Sequence, residues 1–201
     1  MDVEQVTSGL RERTRRAVQA EISETAMRLF VEQGFDTTTI DQIAQQAGIS
    51  RRSFFRYFAT KEDVVLGNLA DRGRAIQAAL VARPADEPAW EALLGAFAVL
   101  KGPDYPLETG LRISTMLLET PSLRARHLEK HLEWQALLVP EIQRRLGGDL
   151  GPPGDPRAAA IVAAALVCLD VATETWTRAG GEGDIEKLFD LAVAAVRGTA
   201  G

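Results

Sequence analysis

Apolar residues recur along this chain at helical spacing, and no segment alternates between apolar and polar residues as a half-buried strand would. The pattern therefore predicts an all-α fold. Its first helix is expected over residues 14–33, with Gly34 as the stop. The buried stripe of this helix comprises four residues at i, i+4, i+7 and i+8, namely Ile22, Ala26, Leu29 and Phe30.

Two short helical patterns follow, over residues 40–47 and 51–58, with residues 48–50 between them. Two helices joined by a turn of three or four residues that contains glycine are typical of a helix-turn-helix. Thr39 precedes the first pattern and Gln42 lies three residues later, which predicts a capping box at the start of that helix.

The rest of the chain is also helical in pattern, first over residues 61–83 and then in segments that prolines separate. All nine prolines lie at or after Pro84, so the composition changes there and a hinge is predicted. Pro140 lies inside a predicted helix and is expected to kink or interrupt it. The helices of this part are expected near 87–101, 106–119, 121–146, 156–180 and 184–198.

The helices near 156–180 and 184–198 predict contact with a second copy of the chain. Residues 158–171 are so rich in Ala, Val and Leu that their helix has hardly any polar face, and such a helix must be buried on several sides. Packing of the two helices against their copies would form a symmetric four-helix bundle and a homodimer. A core supplied entirely by one chain is the alternative.

Charge is distributed unevenly along the chain. A net charge of −5 argues against nucleic acid as a partner. Residues 10–62, however, carry nine Lys or Arg against seven Asp or Glu, whereas residues 63–201 carry fourteen against nineteen. We therefore predict a flexible arm over residues 1–12, a helix-turn-helix DNA-binding domain over 13–62 and a second helical domain over 63–201.

The second helix of the motif is expected to carry a concentrated positive charge. It contains Arg51, Arg52 and Arg56, followed by Lys61, and no acidic residue lies between Gly48 and Lys61. Such a face suits DNA phosphates and the acceptor groups on the edge of guanine.

Other features of the composition narrow the class of protein. Cys168 is the single cysteine, which excludes an internal disulfide and a cysteine-based structural zinc site. No run of eighteen apolar residues exists, and arginines interrupt the first thirty residues, where a signal peptide needs an apolar core. We expect a soluble, cytoplasmic protein with no membrane partner.

Residues 38–61 resemble the helix-turn-helix of the TetR family of bacterial transcriptional regulators, in particular that of actinobacterial members. The family pattern starts with Thr-Thr or Thr-Val, continues with Ile-Ala and Ala-Gly-Val-Ser, and ends with Tyr-x-x-Phe-x-x-Lys. The matching residues are Thr38-Thr39, Ile43-Ala44, Ala47-Gly48-Ile49-Ser50, Ser53 and Phe55-Arg56-Tyr57-Phe58-Ala59-Thr60-Lys61. Beyond about Leu66 the resemblance is limited to an all-α layout.

The resemblance implies a role for each residue of the motif. Thr39 and Lys61 are expected to bind phosphate, and Phe54 and Phe58 are expected to lie in the core. The other DNA-binding residues, most of them facing the major groove, are expected to be Ser50, Arg51, Arg52, Ser53, Arg56 and Tyr57. Phe55 stands where most members have tyrosine, so it is expected to pack against sugar or a thymine methyl and to lack that hydroxyl's phosphate contact.

The resemblance also implies a small inducer that binds in the second domain. Its candidate pocket consists of apolar residues on predicted helices: Phe97, Met116, Trp134, Leu137, Leu138, Cys168 and Trp176. Arg112, Glu174 and Thr175 are candidate polar anchors. A pocket of this composition favours a hydrophobic ligand, and ordinary core packing is the competing interpretation for every one of these residues.

Catalytic and metal sites have little support in the sequence. His127 and His131 lie at i and i+4, a spacing that can bind metal, but no glutamate directly follows the first histidine as in a zinc-protease motif. We interpret both as surface or packing residues. No Ser/His/Asp or Cys/His grouping is apparent, and no Gly-Lys-Ser/Thr follows the glycines of residues 147–154. No enzyme, metal or cofactor is predicted.

The leading hypothesis is a homodimeric, ligand-responsive repressor that binds a palindromic DNA operator through the helix at 51–58. Two copies must match major grooves about 34–36 Å apart, so a small ligand-induced movement of residues 61–83 would weaken binding. One alternative is a helical binding protein that keeps the motif for packing only, which leaves the basic face without a purpose. The other is an enzyme with a helical pocket, which turnover of a bound ligand would support.

Overall fold

The computed structural model describes the backbone of residues 3–67, 69–100, 107–147 and 155–198, with side chains from residue 13 onward except those of residues 69 and 70. Throughout these ranges the regular elements are helical, which confirms the predicted all-α class. The chain divides into two compact units, Met1–Gly67 and Asn68–Gly201.

The first unit starts with a helix longer than predicted. Its described helices are α1 (Val3–Gln33), α2 (Ile40–Gln46), α3 (Arg51–Phe54) and α4 (Glu62–Leu66). Residues 3–12 are helical, whereas a flexible arm was predicted over residues 1–12. No proline precedes Pro84, so the chain has no residue there that would break helical hydrogen bonding. Apolar spacing shows where α1 is buried, not where it begins.

The core of the first unit lies between α1 and the three short helices. The predicted stripe of α1 is buried, as are Phe54 and Phe58, which confirms both predictions. Val64, Val65 and Leu66 are buried as well, and α4 packs against α1. The first unit therefore extends to Gly67, beyond the boundary predicted after residue 62, because α4 contributes to its core.

Gly67 divides the single helix predicted over residues 61–83 into α4 and α5. It ends α4 with φ 63° and ψ −157°, a backbone conformation that is open to glycine and strained for other residues. The prediction followed the apolar spacing, which continues on both sides of Gly67, and gave too little weight to the glycine.

The second unit is a bundle of helices around α8 and α9. Its elements are α5 (Leu69–Ala82), α6 (Ala89–Ala96), a 3₁₀ turn (Phe97–Leu100), α7 (Leu107–Glu119), α8 (Pro121–Arg145), α9 (Pro156–Arg178) and α10 (Ile185–Arg197). α8 packs against α5 and α9, and α10 packs against α9. The buried side chains at these contacts include Leu123, Leu138, Ile142, Val162 and Leu166.

Pro140 does not interrupt α8, which runs without a break to Arg145. The amide of Gln77 donates to the backbone carbonyl of Leu137 at 3.1 Å, close to the proline. The carbonyl that loses its helical donor to Pro140 is that of Ala136, and the bond from α5 reaches the carbonyl next to it.

α9 combines a buried face with an apolar face that no described residue covers. By length and composition alone it could cross a membrane, but the core helix of a soluble protein has the same features, and only 33% of its most apolar window is buried. Val167 is 55% exposed and Val171 is 48% exposed. On the neighbouring α10, Leu191 and Val196 are exposed too.

Candidate nucleic-acid interface and a cleft in the second unit

The first helix of the motif begins at a complete capping box, as predicted. The hydroxyl of Thr39 accepts the backbone N–H of Gln42 at 3.2 Å, and the backbone N–H of Thr39 donates to the Gln42 side-chain oxygen at 2.8 Å. Both side chains are exposed. The cap fixes where α2 starts and holds the Thr39 hydroxyl at the surface.

The second helix of the motif is also capped, by Ser50, the residue that precedes it. The Ser50 hydroxyl accepts the backbone N–H of Ser53 at 3.0 Å and lies 2.9 Å from the Ser53 hydroxyl. Regular helix ends at Phe54, earlier than the predicted residue 58. The backbone nevertheless makes one further turn, because the N–H groups of Tyr57 and Phe58 both donate to the Phe54 carbonyl, at 2.9 and 3.0 Å.

The exposed face of α3 is basic, but its arginines are held differently. Arg51 pairs with Asp41 of α2 at 2.8 Å. The guanidinium carbon of Arg56 lies 5.8 Å from the ring centroid of Tyr57. For Arg52, which is exposed, the structure shows no partner among the residues it describes. Among the described residues, Arg52 and Arg56 can therefore reach a base without first breaking an ion pair, whereas Arg51 cannot.

Phe55 lies at the surface of the same face. It is 45% exposed and packs edge-on against Phe54, with ring centroids 5.7 Å apart and an interplanar angle of 90°. The guanidinium carbon of Arg51 lies 5.7 Å from the Phe55 ring centroid. An aromatic ring without a hydroxyl is thus presented beside the arginines.

Lys61 is engaged inside the first unit, although a phosphate contact was predicted for it. Its ammonium group donates to the backbone carbonyls of Phe35, Asp36 and Thr38 at 2.6, 3.3 and 3.0 Å. It also lies 4.3 Å from the centroid of the Phe35 ring. Three acceptors match the three hydrogens of an ammonium group, so a phosphate would have to replace one of these bonds.

Sequence reasoning missed two polar residues that position the motif. Gln19 of α1 donates its side-chain amide to the Tyr57 carbonyl at 3.2 Å, and Asp41 pairs with Arg51. Both contacts join residues of different segments of the chain, so spacing along one helix gives no signal for either.

The residues predicted to form the inducer pocket are mostly core residues. Five of the seven are buried, with exposed fractions from 0% to 6%: Phe97, Trp134, Leu138, Cys168 and Trp176. Met116 and Leu137 are half-buried. Contacts within the core account for this burial; Phe97, for example, contacts Phe189 with ring centroids 6.3 Å apart. The burial of Cys168 raises the pKa of its thiol.

The second unit has a cleft of about 120 Å³ among α7, α8 and α9, and none of the seven predicted residues lines it. Of the three predicted polar anchors, Glu174 lines the cleft, whereas Arg112 pairs with Glu108 at 2.6 Å and Thr175 is exposed. The lining consists of Ser114, Leu117, Leu118, Arg124, His127, Leu128, Asp170, Thr173, Glu174 and Thr177. Apolar and charged groups therefore share its walls.

His127, His131 and Asp170 form a cluster at this cleft. Nε2 of His127 lies 3.0 Å from one carboxylate oxygen of Asp170, and Nδ1 of His131 lies 3.3 Å from the other. Burial on its own would raise the pKa of Asp170, but the hydrogen bonds and charges of the two histidines outweigh it and lower the pKa to about 2. His131 is buried, as the packing interpretation predicted.

The capped motif and its basic face define a helix-turn-helix DNA-binding protein. The profile of bacterial regulatory proteins of the tetR family matches residues 22–67. The chain is 35% identical over 199 residues to the transcriptional regulator TcmR of Streptomyces glaucescens, covering 94% of this chain and 87% of TcmR. The chain therefore belongs to the tetR family and is a DNA-binding transcriptional regulator, as the resemblance of its motif implied.

Further similarities agree with this assignment. The transcriptional repressor AcnR of Corynebacterium diphtheriae is 29% identical over 178 residues, which cover 88% of this chain and 90% of AcnR. The fold is shared with FadR of Thermus thermophilus, a TetR-family repressor solved in complex with lauroyl-CoA, at a TM-score of 0.55 and 22% identity over 90% of this chain and 94% of FadR. All of these relatives are named as transcriptional regulators or repressors.

Proposed function

We propose that this regulator is a cytoplasmic, homodimeric repressor that binds a palindromic operator and is released by a small, largely apolar effector. The observation that carries the proposal is the face of α3, where Arg52 and Arg56 are exposed and no acidic residue lies between Gly48 and Lys61. No catalytic step is part of this proposal.

In the DNA complex we assign base contacts to Arg52 and Arg56, because arginine paired with guanine O6 and N7 is the commonest specific contact in the major groove. Thr39 supplies a hydroxyl to phosphate from the start of α2, and Phe55 packs on sugar or a thymine methyl. Arg51 contacts the DNA as well, after its ion pair with Asp41 is broken. Ser50 caps α3 by accepting the backbone N–H of Ser53, and Tyr57 packs beside Arg56.

Lys61 has a different role in this proposal from the one predicted. Its three bonds to the carbonyls of residues 35–38 hold the loop that leads into Thr39. We assign it to the support of this loop, and through the loop to the position of Thr39.

The homodimer is proposed to form through α9 and α10. Their uncovered side chains include Val167, Val171, Leu191 and Val196, each of them 48% to 64% exposed. Exposed apolar groups that form a contiguous face mark interaction sites, and a two-fold axis places each face against its own copy. Two protomers then present two copies of α3 to one operator.

The effector is proposed to bind in the cleft among α7, α8 and α9. Leu117, Leu118 and Leu128 provide apolar contacts, and Arg124 is available to orient a polar group. Glu174 can do so once its ion pair with Arg178 is broken. Ligand pockets usually measure about 300–1,000 Å³, so a cleft of about 120 Å³ must widen when the effector binds. The effector would be coupled to DNA release because it binds the conformation with the widened cleft more tightly than the conformation with the narrow cleft.

The test is DNA binding measured by fluorescence anisotropy, with a duplex from upstream of the regulator's own gene and a scrambled duplex of equal length. Arg52→Ala should weaken binding to the upstream duplex by about 1–3 kcal/mol and leave the scrambled duplex little changed. Arg144→Ala, which removes an exposed arginine of α8 in the second unit, is the control and should change neither. Equal affinity of the wild type for both duplexes would refute the proposal.

A further inference from the structure

We propose that His127, His131 and Asp170 form a binding site for one divalent first-row transition-metal ion, with Zn²⁺ as the probe. The site lies between α8 and α9, at the edge of the cleft. It goes beyond the proposed repressor function and does not depend on it.

The three side chains converge because two helices place them there. His127 and His131 lie one turn apart on α8, with ring centroids 4.2 Å apart. Asp170 of α9 turns one carboxylate oxygen to each ring, at 3.0 and 3.3 Å. One donor atom from each residue can be chosen so that all three lie within 4.8 Å of one another.

These distances are close to those of a metal centre. Zinc binds imidazole nitrogen and carboxylate oxygen at about 2.0–2.2 Å, so the donors of a tetrahedral site are about 3.4 Å apart. The two nitrogen–oxygen distances already fit, whereas the widest donor separation, up to 4.8 Å, must shorten by about 1.4 Å to hold an ion. Imidazole ligands favour zinc and its first-row neighbours over calcium and magnesium.

Three protein ligands leave the fourth position of a tetrahedral ion open to water or to an added ligand. The cleft provides room for it, since His127 and Asp170 both line the cleft. Other charged groups on the cleft wall are Arg124, which opposes a cation, and Glu174, which pairs with Arg178 at 2.5 Å. The net charge of Asp170, Glu174 and the two arginines is zero, so the binding free energy must come from coordination.

A hydrogen-bonded cluster without metal would show the same contacts, so binding itself must be measured. Full-length protein without a histidine tag is treated with a chelator, dialysed, and titrated with Zn²⁺ by calorimetry. We expect one ion per chain, and Co²⁺ in its place should give the visible spectrum of a tetrahedral site. His127 and His131 are the two histidines of the sequence, so both sets of imidazole NMR signals should shift on addition of Zn²⁺.

Asp170→Asn and His127→Gln should each weaken Zn²⁺ binding more than the roughly 10- to 100-fold that changes around the ligands usually cost. His127 is only partly buried, so His127→Gln tests the site without removing the buried ring of His131. Asp190→Asn removes an exposed carboxylate of α10 and should bind Zn²⁺ as the wild type does. The proposal is overturned if the wild type binds less than one ion per chain, or if all variants bind alike. The Zn²⁺ titration contains no DNA, so its result tests the metal site even if the repressor proposal fails.

Discussion

The ammonium group of Lys61 and the backbone carbonyl of Phe35 are 2.6 Å apart, and the same ammonium group lies 4.3 Å from the Phe35 ring. A residue at the start of α4 thereby closes the loop between α1 and α2. The loop ends at Thr39, where the helix-turn-helix begins.

Lys61→Met should therefore lower the free energy of unfolding of the first unit, by about 1–3 kcal/mol, because charge-assisted bonds to three carbonyls are lost. The dependence of DNA affinity on salt concentration should not change. A lysine that contacts phosphate would instead reduce the slope of log K against log salt by about 0.9. Chemical unfolding and DNA titrations at several salt concentrations measure the two effects, and Lys187→Met, at an exposed lysine of α10, is the control. A reduced slope with unchanged stability would restore the phosphate contact.

Phe55→Tyr should strengthen DNA binding by about 2- to 12-fold for each protomer on the operator, which corresponds to one net hydrogen bond of about 0.5–1.5 kcal/mol. The ring is 45% exposed, so a hydroxyl fits without a change in the core. Operator and scrambled duplex should gain equally, because a phosphate contact carries no sequence information. Anisotropy titrations measure the gain. An increase confined to the operator would show that the new hydroxyl reaches a base.

Val171→Glu, and Val167→Glu by the same reasoning, should separate the homodimer, because each places a charge on the apolar face of α9. Sedimentation velocity should show a monomer at concentrations where the wild type is a dimer, and operator binding should weaken with it. Val81→Glu is the matched control, since Val81 of α5 is 58% exposed. If Val81→Glu dissociates the dimer and the two α9 variants do not, the interface lies elsewhere.

Gly73→Ala should destabilise the second unit by about 1–3 kcal/mol through overpacking. A Cβ atom at Gly73 would lie 2.5 Å from Cδ1 and 2.6 Å from Nε1 of Trp134, which is 4% exposed, so the ring or the helix must shift. Gly110→Ala in α7 is the matched comparison, because nothing lies within 4 Å of its added Cβ. It should stabilise the unit by about 0.5–1 kcal/mol. Urea unfolding of both variants tests the pair, and a common sign for the two changes would contradict the packing at Trp134.

Asp170 should contribute to stability in a way that depends on pH. Its pKa in the folded protein is about 2, below the ordinary value of about 3.9 for an aspartate. The unfolded chain therefore binds this proton first as the pH falls, and the contribution present above about pH 4 is lost toward about pH 2. Unfolding free energies of Asp170→Asn should fall less steeply over this interval than those of the wild type. Asp190→Asn should follow the wild-type curve, and parallel curves for all three proteins would exclude the linkage.

The sequence allowed the helices and the motif to be predicted because those features depend on neighbours along the chain. The cap at Thr39 and the stripe of α1 are of this kind. Contacts that join distant segments gave no such signal: Lys61 meets Phe35, and Asp170 meets histidines more than thirty residues earlier. Apolar character alone also does not distinguish a pocket wall from a core. Trp134 and Trp176 are buried, which agrees with the core-packing alternative given for both.

The uncovered face of α9 includes a stripe of exposed or half-buried positions three or four residues apart, namely Ala160, Ala164, Val167, Val171, Thr175 and Arg178. This spacing keeps them on one side of the helix. Packed helices cross at an angle, so two copies of α9 should be closest at one point of this stripe and diverge toward both ends. Tolerance to substitution should increase along the stripe with distance from that crossing.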